Sequence, residues 1–491
     1  MGPLEIQLTA ASVASAASGA VVAGDPGRTF DGVSIDTRTL KAGELFFAVR
    51  GERFDGAEFA AAAIDAGAAG VVVPRGWNAR FVGERSAGAA RSATASAERA
   101  GTTRNVVVIE VADTTVALQG LGRAIRRESG AKVVAITGSA GKTTTKEVTS
   151  ELLSTRYRVI RNRGNFNNHI GLPLSLIELR QRPEIAVVEL GMNHAGEIST
   201  LVRVAEPDVR VWTNVGEAHV GFFGSVDAIA DAKAEIFEAA RPSDLLVANA
   251  DDPRIAPRLA AFRGRVVTFG IDRAAEVRAS TIVDRGTEGT AARITTARGA
   301  IDITTPLVGR ANLANVLAAT AVALEFDVPL EDIATKAATL GPAAHRGEIV
   351  RLAGGITVID DSYNANPTAT RRALDVLAAA RGSRRVAVIG EMLELGDHAI
   401  ALHAEVGRAV AAAGVDMLLA VGGAAAGALA DAAVDAGMSK TSVRHFATSD
   451  EAADAAVADI RAGDVVLVKG SRGVKTDRVV DRLKAARAER G

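Results

Sequence analysis

The sequence VVAITGSAGKTTTKE, residues 133–147, decides the fold of the central part of the chain. Its first four residues are apolar and typical of a buried strand, and a helical pattern begins after the glycines Gly138 and Gly141. A glycine-rich turn between a strand and a helix lets backbone N–H groups approach an anion, and the helix N-terminus presents more of them. Lys142 adds a positive charge, and the hydroxyl of Thr143 can reach Mg²⁺. The stretch therefore predicts the phosphate site of an ATP-binding protein.

The glycine spacing of this stretch differs from that of the standard P-loop, G-x-x-x-x-G-K-[ST]. The position five residues before Gly141 is Ile136, and the first glycine is Gly138. An alternative interpretation is a glycine turn followed by a solvated lysine. The buried strand directly before the turn and the three threonines at 143–145 favour phosphate binding.

The composition is that of a large globular protein. The 491 residues are 48% hydrophobic, which is enough for about three domains. With 57 basic and 58 acidic residues, the net charge of −1 gives no indication of nucleic-acid or membrane-surface binding. The absence of cysteine excludes a disulfide framework and a thiolate metal site. No apolar run approaches the roughly 18 residues of a membrane span, and the N-terminus lacks the basic region of a signal peptide, so we expect a cytoplasmic protein and a monomer.

The first segment of the chain reads as a small α/β domain. Short strands are predicted at 33–35, 45–49 and 71–73, with a helix between the last two. Four polar residues gather at the end of the first strand: Ser34, Asp36, Thr37 and Arg38. They suit a polar ligand, although turn chemistry with a surface ion pair explains them equally well. Residues 76–105 are rich in Ser, Ala, Gly and Arg and read as a flexible insertion.

Strand and helix patterns then alternate to the end of the chain. Several strands end in polar residues, among them Glu189, Asn214 and Asn249, as the ligand crevice of a doubly wound sheet requires. The pattern at 282–305 is more typical of antiparallel strands, and 345–347 reads as a second linker. The predicted fold is α/β with three domains: a small N-terminal α/β domain at 1–112, a central P-loop-type domain with a mostly parallel sheet at 113–342, and a C-terminal Rossmann-like domain at 343–491.

The shortened T-G-S-x-G-K-T turn resembles that of the Mur ligase family, the ATP-dependent amide ligases of peptidoglycan precursor synthesis. The resemblance extends through GNFNNHIGLPL at 164–174, VELGMNHAGEI at 188–198, TNVGEAHVGFFGS at 213–225 and DAKAEIFE at 231–238. DDSYNANPTAT at 360–370 and GEMLELGDHAIALH at 390–403 are similar to the member that adds the terminal dipeptide. The D-N-P-R sequence typical of the member that adds the third amino acid is absent.

The resemblance implies a role for each candidate residue. ATP binding is implied for Gly138, Ser139, Ala140, Gly141, Lys142, Thr143, Thr144, Asn312 and Arg346. Magnesium binding is implied for Thr143, Glu189, His219 and a carbamylated Lys233, and catalysis for Lys142, His219 and Lys233. Binding of the uridine-nucleotide precursor is implied for Ser34, Asp36, Thr37 and Arg38. Binding of the dipeptide and closure over it are implied for Asp360, Asp361, Tyr363, Asn364 and Asn366.

Two of these residues have simpler interpretations. A lone histidine such as His219 is more often a packed or capping residue than a ligand. Lys233 lies between Asp231 and Glu235 on a predicted helix, as in an ordinary solvated charge pattern.

The chain departs from the family pattern at two positions. The family usually has histidine where this chain has Ala311, which weakens the support for Asn312, and the family's histidine after Asp-Gly is here Ala57.

The reaction implied by the resemblance joins D-Ala-D-Ala to UDP-MurNAc-tripeptide, with ATP and Mg²⁺ as cofactors and an acyl phosphate as intermediate. Two alternatives remain open at this point. One is a related ligase that adds a single amino acid, including the folylpolyglutamate type. The other is a nucleotide-binding homologue that has lost catalysis.

Overall fold

The computed structural model describes residues 5–51, 54–77, 106–162 and 164–487. Most of the predicted insertion at 76–105 lies outside these residues. In the first part of the chain the helices and strands are β1 (Leu8–Thr9), α1 (Ala10–Ala16), β2 (Ala20–Ala23), β3 (Thr29–Phe30), β4 (Val33–Ser34), β5 (Leu45–Phe47), α2 (Ala60–Asp65), β6 (Gly70–Pro74), β7 (Val107–Val111) and α3 (Thr114–Ser129).

The middle of the chain carries the predicted phosphate site. Its elements are β8 (Lys132–Thr137), α4 (Lys142–Leu153), β9 (Val159–Arg161), α5 (Gly171–Ile177), β10 (Ile185–Glu189), α6 (Glu197–Ala205), β11 (Val209–Trp212), α7 (Val220–Phe223), α8 (Val226–Ala234), β12 (Leu245–Asn249), β13 (Arg265–Gly270), β14 (Val277–Asp284), β15 (Thr290–Thr296), β16 (Gly299–Thr305), α9 (Gly309–Glu325) and α10 (Leu330–Ala337).

The last part alternates strands and helices. Its elements are β17 (Glu348–Leu352), β18 (Ile356–Asp361), α11 (Pro367–Ala379), β19 (Arg385–Gly390), α12 (Ala399–Ala412), β20 (Met417–Val421), α13 (Ala424–Asp435), β21 (Val443–Phe446), α14 (Ser449–Asp459), β22 (Val465–Lys469) and α15 (Asp477–Ala486). None of the helices in the described residues is both long enough and apolar enough to span a membrane.

The described residues form two compact units, and the first contains residues 1–133, 158–191 and 199–207. Its N-terminal sheet has the strand order β2-β7-β6-β5-β4, in which β4 to β7 run parallel and β2 is antiparallel. Phe46, Val71 and Val108 lie in the core of this sheet. Asp113 caps α3, because its carboxylate accepts hydrogen bonds from the N–H groups of Thr115 and Val116 at the start of that helix. In this unit β9 and β10 are parallel neighbours.

The second unit contains residues 134–157, 192–198 and 208–491. In its first sheet β8, β11, β12, β13 and β14 are parallel neighbours, followed by the antiparallel strands β15 and β16. In its second sheet the order is β17-β18-β22-β19-β20-β21, and only β17 is antiparallel. The antiparallel strands predicted at 282–305 are thus present, and the predicted α/β class is confirmed. The predicted division into domains at 1–112, 113–342 and 343–491 stays a prediction.

A buried ion pair supports the first sheet of the second unit. The side chains of Arg210 and Asp244 are 1% and 2% exposed, and their charged atoms lie 2.8 Å apart. Arg210 also donates from Nε to the carbonyl of Ile236 at 2.8 Å, just beyond the helix that carries Lys233. The pair therefore joins β11 to the C-terminal end of that helical region.

We predict that Asp244→Ala lowers the free energy of unfolding by about 3–5 kcal/mol, because it leaves a buried guanidinium without its charged partner. Urea unfolding followed by the fluorescence of Trp212 in a Trp77→Phe background measures this. The control is Asp302→Ala, whose partner Arg293 is 49% exposed and whose own side chain is 74% exposed, so its loss costs only about 0–1 kcal/mol. Equal losses in the two variants would contradict the prediction.

Candidate active site

The turn after β8 has the geometry that its glycines require. Gly138 has φ +153° and Gly141 has φ +81°, and neither position has room for a side chain. A Cβ atom on Gly138 would lie 1.9 Å from the Oγ1 of Thr213, and one on Gly141 would lie 2.5 Å from the Oδ1 of Asn315. Helix α4 then begins at Lys142, so the N–H groups of its first turn point toward the turn. This is the phosphate cradle that the sequence predicts.

The segment that follows β11 fastens the cradle in place. The N–H of Ala140 donates to the Oδ1 of Asn214 at 2.9 Å, and the Nδ2 of Asn214 donates back to the carbonyl of Ala140 at 2.9 Å. The Oγ1 of Thr213 donates to the same carbonyl at 2.8 Å. The hydroxyl of Ser139 accepts a hydrogen bond from the N–H of Gly216 at 2.9 Å and donates one to the carbonyl of Gly216 at 3.1 Å. The cradle is thus held by side chains from the neighbouring strand's end, whose roles the sequence does not identify.

An asparagine pair on α9 contacts the other side of the cradle. The Oδ1 of Asn315 accepts a hydrogen bond from the Oγ1 of Thr145 at 3.2 Å, next to Gly141. Its Nδ2 donates to the Oδ1 of Asn312 at 3.3 Å, and Asn312 in turn donates to the carbonyl of Val308 at 2.9 Å. Asn312 is therefore linked to the cradle helix through two hydrogen bonds, by way of Asn315. Asn315 is also the residue that leaves no room for a side chain at position 141.

Two lysines meet at this site. The ammonium of Lys142 donates to the carbonyl of Gly138 at 2.7 Å, across the mouth of the cradle. Lys233, on α8, is only 2% exposed, and none of the carboxylates in the described residues pairs with it. Burial lowers the pKa of Lys233 well below its ordinary value, and the charge of Lys142 lowers it further. Lys233 is thus a buried amine for which the charged form is costly, contrary to the interpretation of a solvated helix residue.

His219 lies where the 213–221 segment meets the region after β19. It has φ +65°, and its Nδ1 lies 2.6 Å from the Oε2 of Glu394. The imidazole holds the pKa of the Glu394 carboxyl below its ordinary value. The main chains are also close, because the N–H of Gly221 donates to the carbonyl of Glu394 at 3.1 Å.

Thr143, Thr144 and Glu189 occupy the positions that the strand and helix patterns predict. Thr143 and Thr144 lie in the first turn of α4, where Thr144 is 7% exposed. Glu189 is the last residue of β10 in the first unit and is 1% exposed. Its carboxylate accepts a hydrogen bond from the Nδ2 of Asn167 at 3.0 Å, and its N–H donates to the Oδ1 of Asn162 at 3.1 Å. The amide of Asn167, within the GNFNNH motif, therefore orients this carboxylate, and Asn162 holds the backbone of the same residue.

The predicted linker at 345–347 is bound to the second sheet of its unit. The Nδ1 of His345 lies 2.8 Å from the Oδ2 of Asp360, a residue that is fully buried at the end of β18. The guanidinium of Arg346 stacks on the ring of Tyr363 at 4.1 Å from its centroid. Within the described residues, the ligand-type atoms of His345, Glu348 and Asp360 lie within 4.8 Å of one another. The pairing of His345 with Asp360 explains this cluster, and it fixes the linker beside Arg346.

The remaining residues of the 360–366 segment have defined partners. Asp361 pairs with Lys469 at 2.6 Å, and Lys469 also donates to the carbonyl of Asn364 at 3.0 Å. The Oδ1 of Asn366 accepts a hydrogen bond from the N–H of Ala369 at 2.8 Å and caps α11. Tyr363 has a second guanidinium near it, that of Arg472, 5.9 Å from the ring centroid. The role of the segment in substrate binding stays a prediction.

A buried histidine that the sequence reading passed over shapes the loop at 390–396. His403 is fully buried, accepts at Nε2 from the N–H of Met392 at 2.8 Å and donates from Nδ1 to the carbonyl of Ala399 at 2.7 Å. Burial lowers the pKa of His403, so the ring stays neutral. Its only signal in the sequence is its place at the end of the GEMLELGDHAIALH motif.

The predicted precursor-binding residues in the first unit form a compact turn. Ser34 accepts a hydrogen bond from the N–H of Asp36 at 3.2 Å, and Asp36 bonds both the N–H and the side chain of Arg38. The hydrogen bonds from Arg38 lower the pKa of Asp36 to about 2. Thr37 lies between them, and the Arg38 side chain is 85% exposed. These contacts match the turn-and-ion-pair interpretation, and the role in binding stays a prediction.

Three family models match the chain. The model described as Mur ligase middle domain matches residues 136–323, and the model described as Mur ligase, glutamate ligase domain matches 345–472. The model described as Mur ligase family, catalytic domain matches residues 29–126.

Relatives and solved structures match along almost the full chain. The chain is 35% identical to the UDP-N-acetylmuramoyl-tripeptide–D-alanyl-D-alanine ligase of Bacillus subtilis over 92% of this chain and 93% of that protein. Identity to the ligase of the same name from Mycobacterium tuberculosis is 33% over 98% of each chain. A crystal structure of MurF from Acinetobacter baumannii has a TM-score of 0.84 and 31% identity, covering 98% of this chain and 100% of that one.

A structure of MurF ligase from Thermotoga maritima in complex with ADP has a TM-score of 0.77 and 26% identity, covering 94% of this chain and 98% of that one. A folylpolyglutamate synthase from Mycobacterium tuberculosis, at 19% identity and a TM-score of 0.60 over 75% of this chain, shares the fold. The level and the extent of the identity to the peptide ligases decide the relationship: the chain belongs to the Mur ligase family.

Proposed function

We propose that this protein joins D-Ala-D-Ala to UDP-MurNAc-tripeptide at the expense of ATP, giving UDP-MurNAc-pentapeptide, ADP and phosphate. One observation carries the proposal: an intact phosphate cradle lies in a chain that is 35% identical, over 92% of its length, to a ligase of that name. The precursor carboxylate attacks the γ-phosphorus of ATP, and ADP leaves. The dipeptide amine then attacks the acyl phosphate, and the tetrahedral intermediate releases phosphate as the amide forms.

The cradle is suited to the first of these two steps. Phosphoryl transfer needs reactants held in line and charge on the phosphoryl oxygens neutralised. The N-terminal turn of α4 and the ammonium of Lys142 supply positive potential at the same place, and the bonds from residues 213–216 fix its shape in advance. We assign residues 138–144 to the phosphates, and Asn312 and Arg346 to the nucleoside side of ATP.

We assign magnesium binding to Thr143, Glu189, His219 and Lys233, with one condition on the chemical form of Lys233. A hydroxyl on Thr143, the carboxylate of Glu189 and the imidazole of His219 are acceptable donors, and Mg²⁺ would supply charge neutralisation on the phosphates. An ammonium on Lys233 would repel the ion. Lys233 is buried without a carboxylate partner among the described residues, so a neutral amine is available to react with CO₂. The resulting carbamate turns an unfavourable cation into an anionic oxygen ligand, and we assign that role to Lys233.

The region after β18 suits the amine substrate. Residues 360–366 place carboxylate, phenol and amide groups at the C-terminal end of a parallel strand, the edge at which α/β sheets bind ligands. We assign Asp360, Asp361, Tyr363, Asn364 and Asn366 to the shape of the dipeptide site and its closure. Ser34, Asp36, Thr37 and Arg38 are assigned to the uridine-nucleotide end of the precursor.

The substrate assignment predicts that D-Ala-D-Ala, together with the tripeptide precursor, stimulates phosphate release from ATP. Single amino acids such as D-Ala or L-Glu should give less than about one hundredth of that rate, since they fill only part of a site shaped for a dipeptide. A phosphate-release assay with mass spectrometric detection of the product measures both. Turnover that requires a single amino acid would replace the proposal with the related ligase reaction. Binding of ATP without amide product from any combination would indicate an inactive homologue.

The carbamate assignment predicts that Lys233→Ala lowers kcat by at least about a thousandfold, because the loss of an anionic metal ligand leaves the phosphates without their full neutralisation. Added short carboxylates such as acetate should restore part of the activity, and native mass spectrometry of the wild type should show one added CO₂. Lys440→Ala, which removes an exposed lysine, is the control and should keep full activity. Near-normal turnover of Lys233→Ala would exclude the assignment.

A further inference from the structure

The segment at residues 213–221 faces two functional regions of the second unit. Its first half bonds the phosphate cradle through Thr213, Asn214 and Gly216. Its second half contacts two elements of the C-terminal part of the chain, the start of α11 and the loop at 390–396. Only Glu217 and Ala218 separate Gly216 from His219. A shift of the half that bonds the cradle is therefore transmitted to the half that contacts α11 and the loop at 390–396.

The contact with α11 is centred on Glu217. Its Oε1 lies 2.6 Å from a guanidinium nitrogen of Arg371, and its Oε2 accepts a hydrogen bond from the hydroxyl of Thr368. The main chain is close as well, because a Cβ atom on Gly216 would lie 2.7 Å from the Oγ1 of Thr368. Both partners of Glu217 belong to the first turns of α11, directly after the 360–366 segment.

The environment of Glu217 differs from that of an ordinary surface ion pair. The side chains of Glu217 and Arg371 are 20% and 36% exposed. Next to them, Arg372 is largely buried and senses the charges of Asp252 and Glu217, and Asp252 accepts a hydrogen bond from the N–H of Val215 at 2.7 Å. Two adjacent arginines of α11 are therefore directed at the same segment.

We propose that Glu217 is a positioning residue that couples the phosphate cradle to the start of α11, and hence to the dipeptide site. The inference rests on the proposed function and deepens it. When ATP fixes the cradle, the bonds from Ser139 and Ala140 fix residues 214–216, and Glu217 then holds Thr368 and Arg371. The same contacts act in reverse, since energetic coupling between two sites is reciprocal. Dipeptide binding is thereby favoured when the nucleotide is present.

A second ion pair between the same two parts of the chain provides a matched control. Glu288, in the turn before β15, pairs with Arg351 of β17. It has the same chemistry as the Glu217 pair, but its side chains are 71% and 50% exposed and it does not touch the segment that holds the cradle. Glu288→Ala therefore removes a contact of the same kind without affecting the coupling.

The experiment compares wild type, Glu217→Ala and Glu288→Ala by hydrogen exchange of the α11 amides, with and without a non-hydrolysable ATP analogue. In wild type and Glu288→Ala, the analogue should slow exchange in α11. In Glu217→Ala it should bind with unchanged affinity but give no protection there. In steady-state assays at saturating ATP, Glu217→Ala should raise the KM for D-Ala-D-Ala by about 10- to 100-fold, the range of typical coupling, whereas the affinity for the ATP analogue in the absence of dipeptide should stay unchanged.

Exchange of Glu217 and Arg371, as the double variant Glu217→Arg with Arg371→Glu, should restore part of the nucleotide-dependent protection. Equal behaviour of Glu217→Ala and Glu288→Ala would overturn the inference, as would a Glu217→Ala variant with a lowered affinity for the ATP analogue when no dipeptide is present. A lowered Tm of Glu217→Ala would indicate a global loss of folding. In that case Glu217→Gln, which keeps the size of the side chain, is tested in its place by hydrogen exchange of α11 and by the KM for D-Ala-D-Ala. Failure of the proposed function is separate, because it appears as a wild type without amide product.

Discussion

The rest of the site depends on the adjacency of β8 and β11. The cradle at 138–141 consists of a turn whose two glycines leave no space for side chains, and a turn of this kind has few internal bonds to hold its shape. Its shape comes instead from the segment after β11. There Asn214 accepts a hydrogen bond from the N–H of Ala140 and donates one to the carbonyl of the same residue. Because parallel strands end at the same edge of a sheet, the pairing of β8 with β11 brings these two segments together. Preorganisation of the phosphate site is therefore a property of the sheet and not of the loop alone.

The features that the sequence predicts well are local ones. The strand before the cradle, the helix that follows it and the antiparallel strands within 282–305 follow from short-range patterns of apolar residues. The short edge strands β2 and β17 escaped prediction because, at four and five residues and only partly buried, they carry little alternation. The ligand-type residues were found through a resemblance of motifs, which identifies residues but says nothing of their surroundings.

What the sequence cannot show is which distant groups meet. Glu217 and Arg371 are separated by more than 150 positions, and nothing in either local pattern indicates the pairing. The burial of Lys233 is a similar case, since a lysine between two acidic residues of a helix is typical of a solvated face. Only the tertiary packing around α8 decides that the side chain of Lys233 is removed from water. The chemical consequence, a pKa of Lys233 well below its ordinary value, follows from that burial and not from the charge pattern.

The phosphate cradle and the predicted dipeptide site at the end of β18 differ in how their charges are arranged. At the cradle, the ammonium of Lys142 and the N-terminal turn of α4 place positive potential where a polyanion can bind. At the end of β18 each carboxylate already has a side-chain partner, Lys469 for Asp361 and His345 for Asp360. A zwitterionic dipeptide carries one charge of each sign, so it needs a site with both signs held at fixed positions and little net potential. The internally paired groups around Tyr363, with a guanidinium on its ring, have that character, whereas the cradle has the character required by triphosphate.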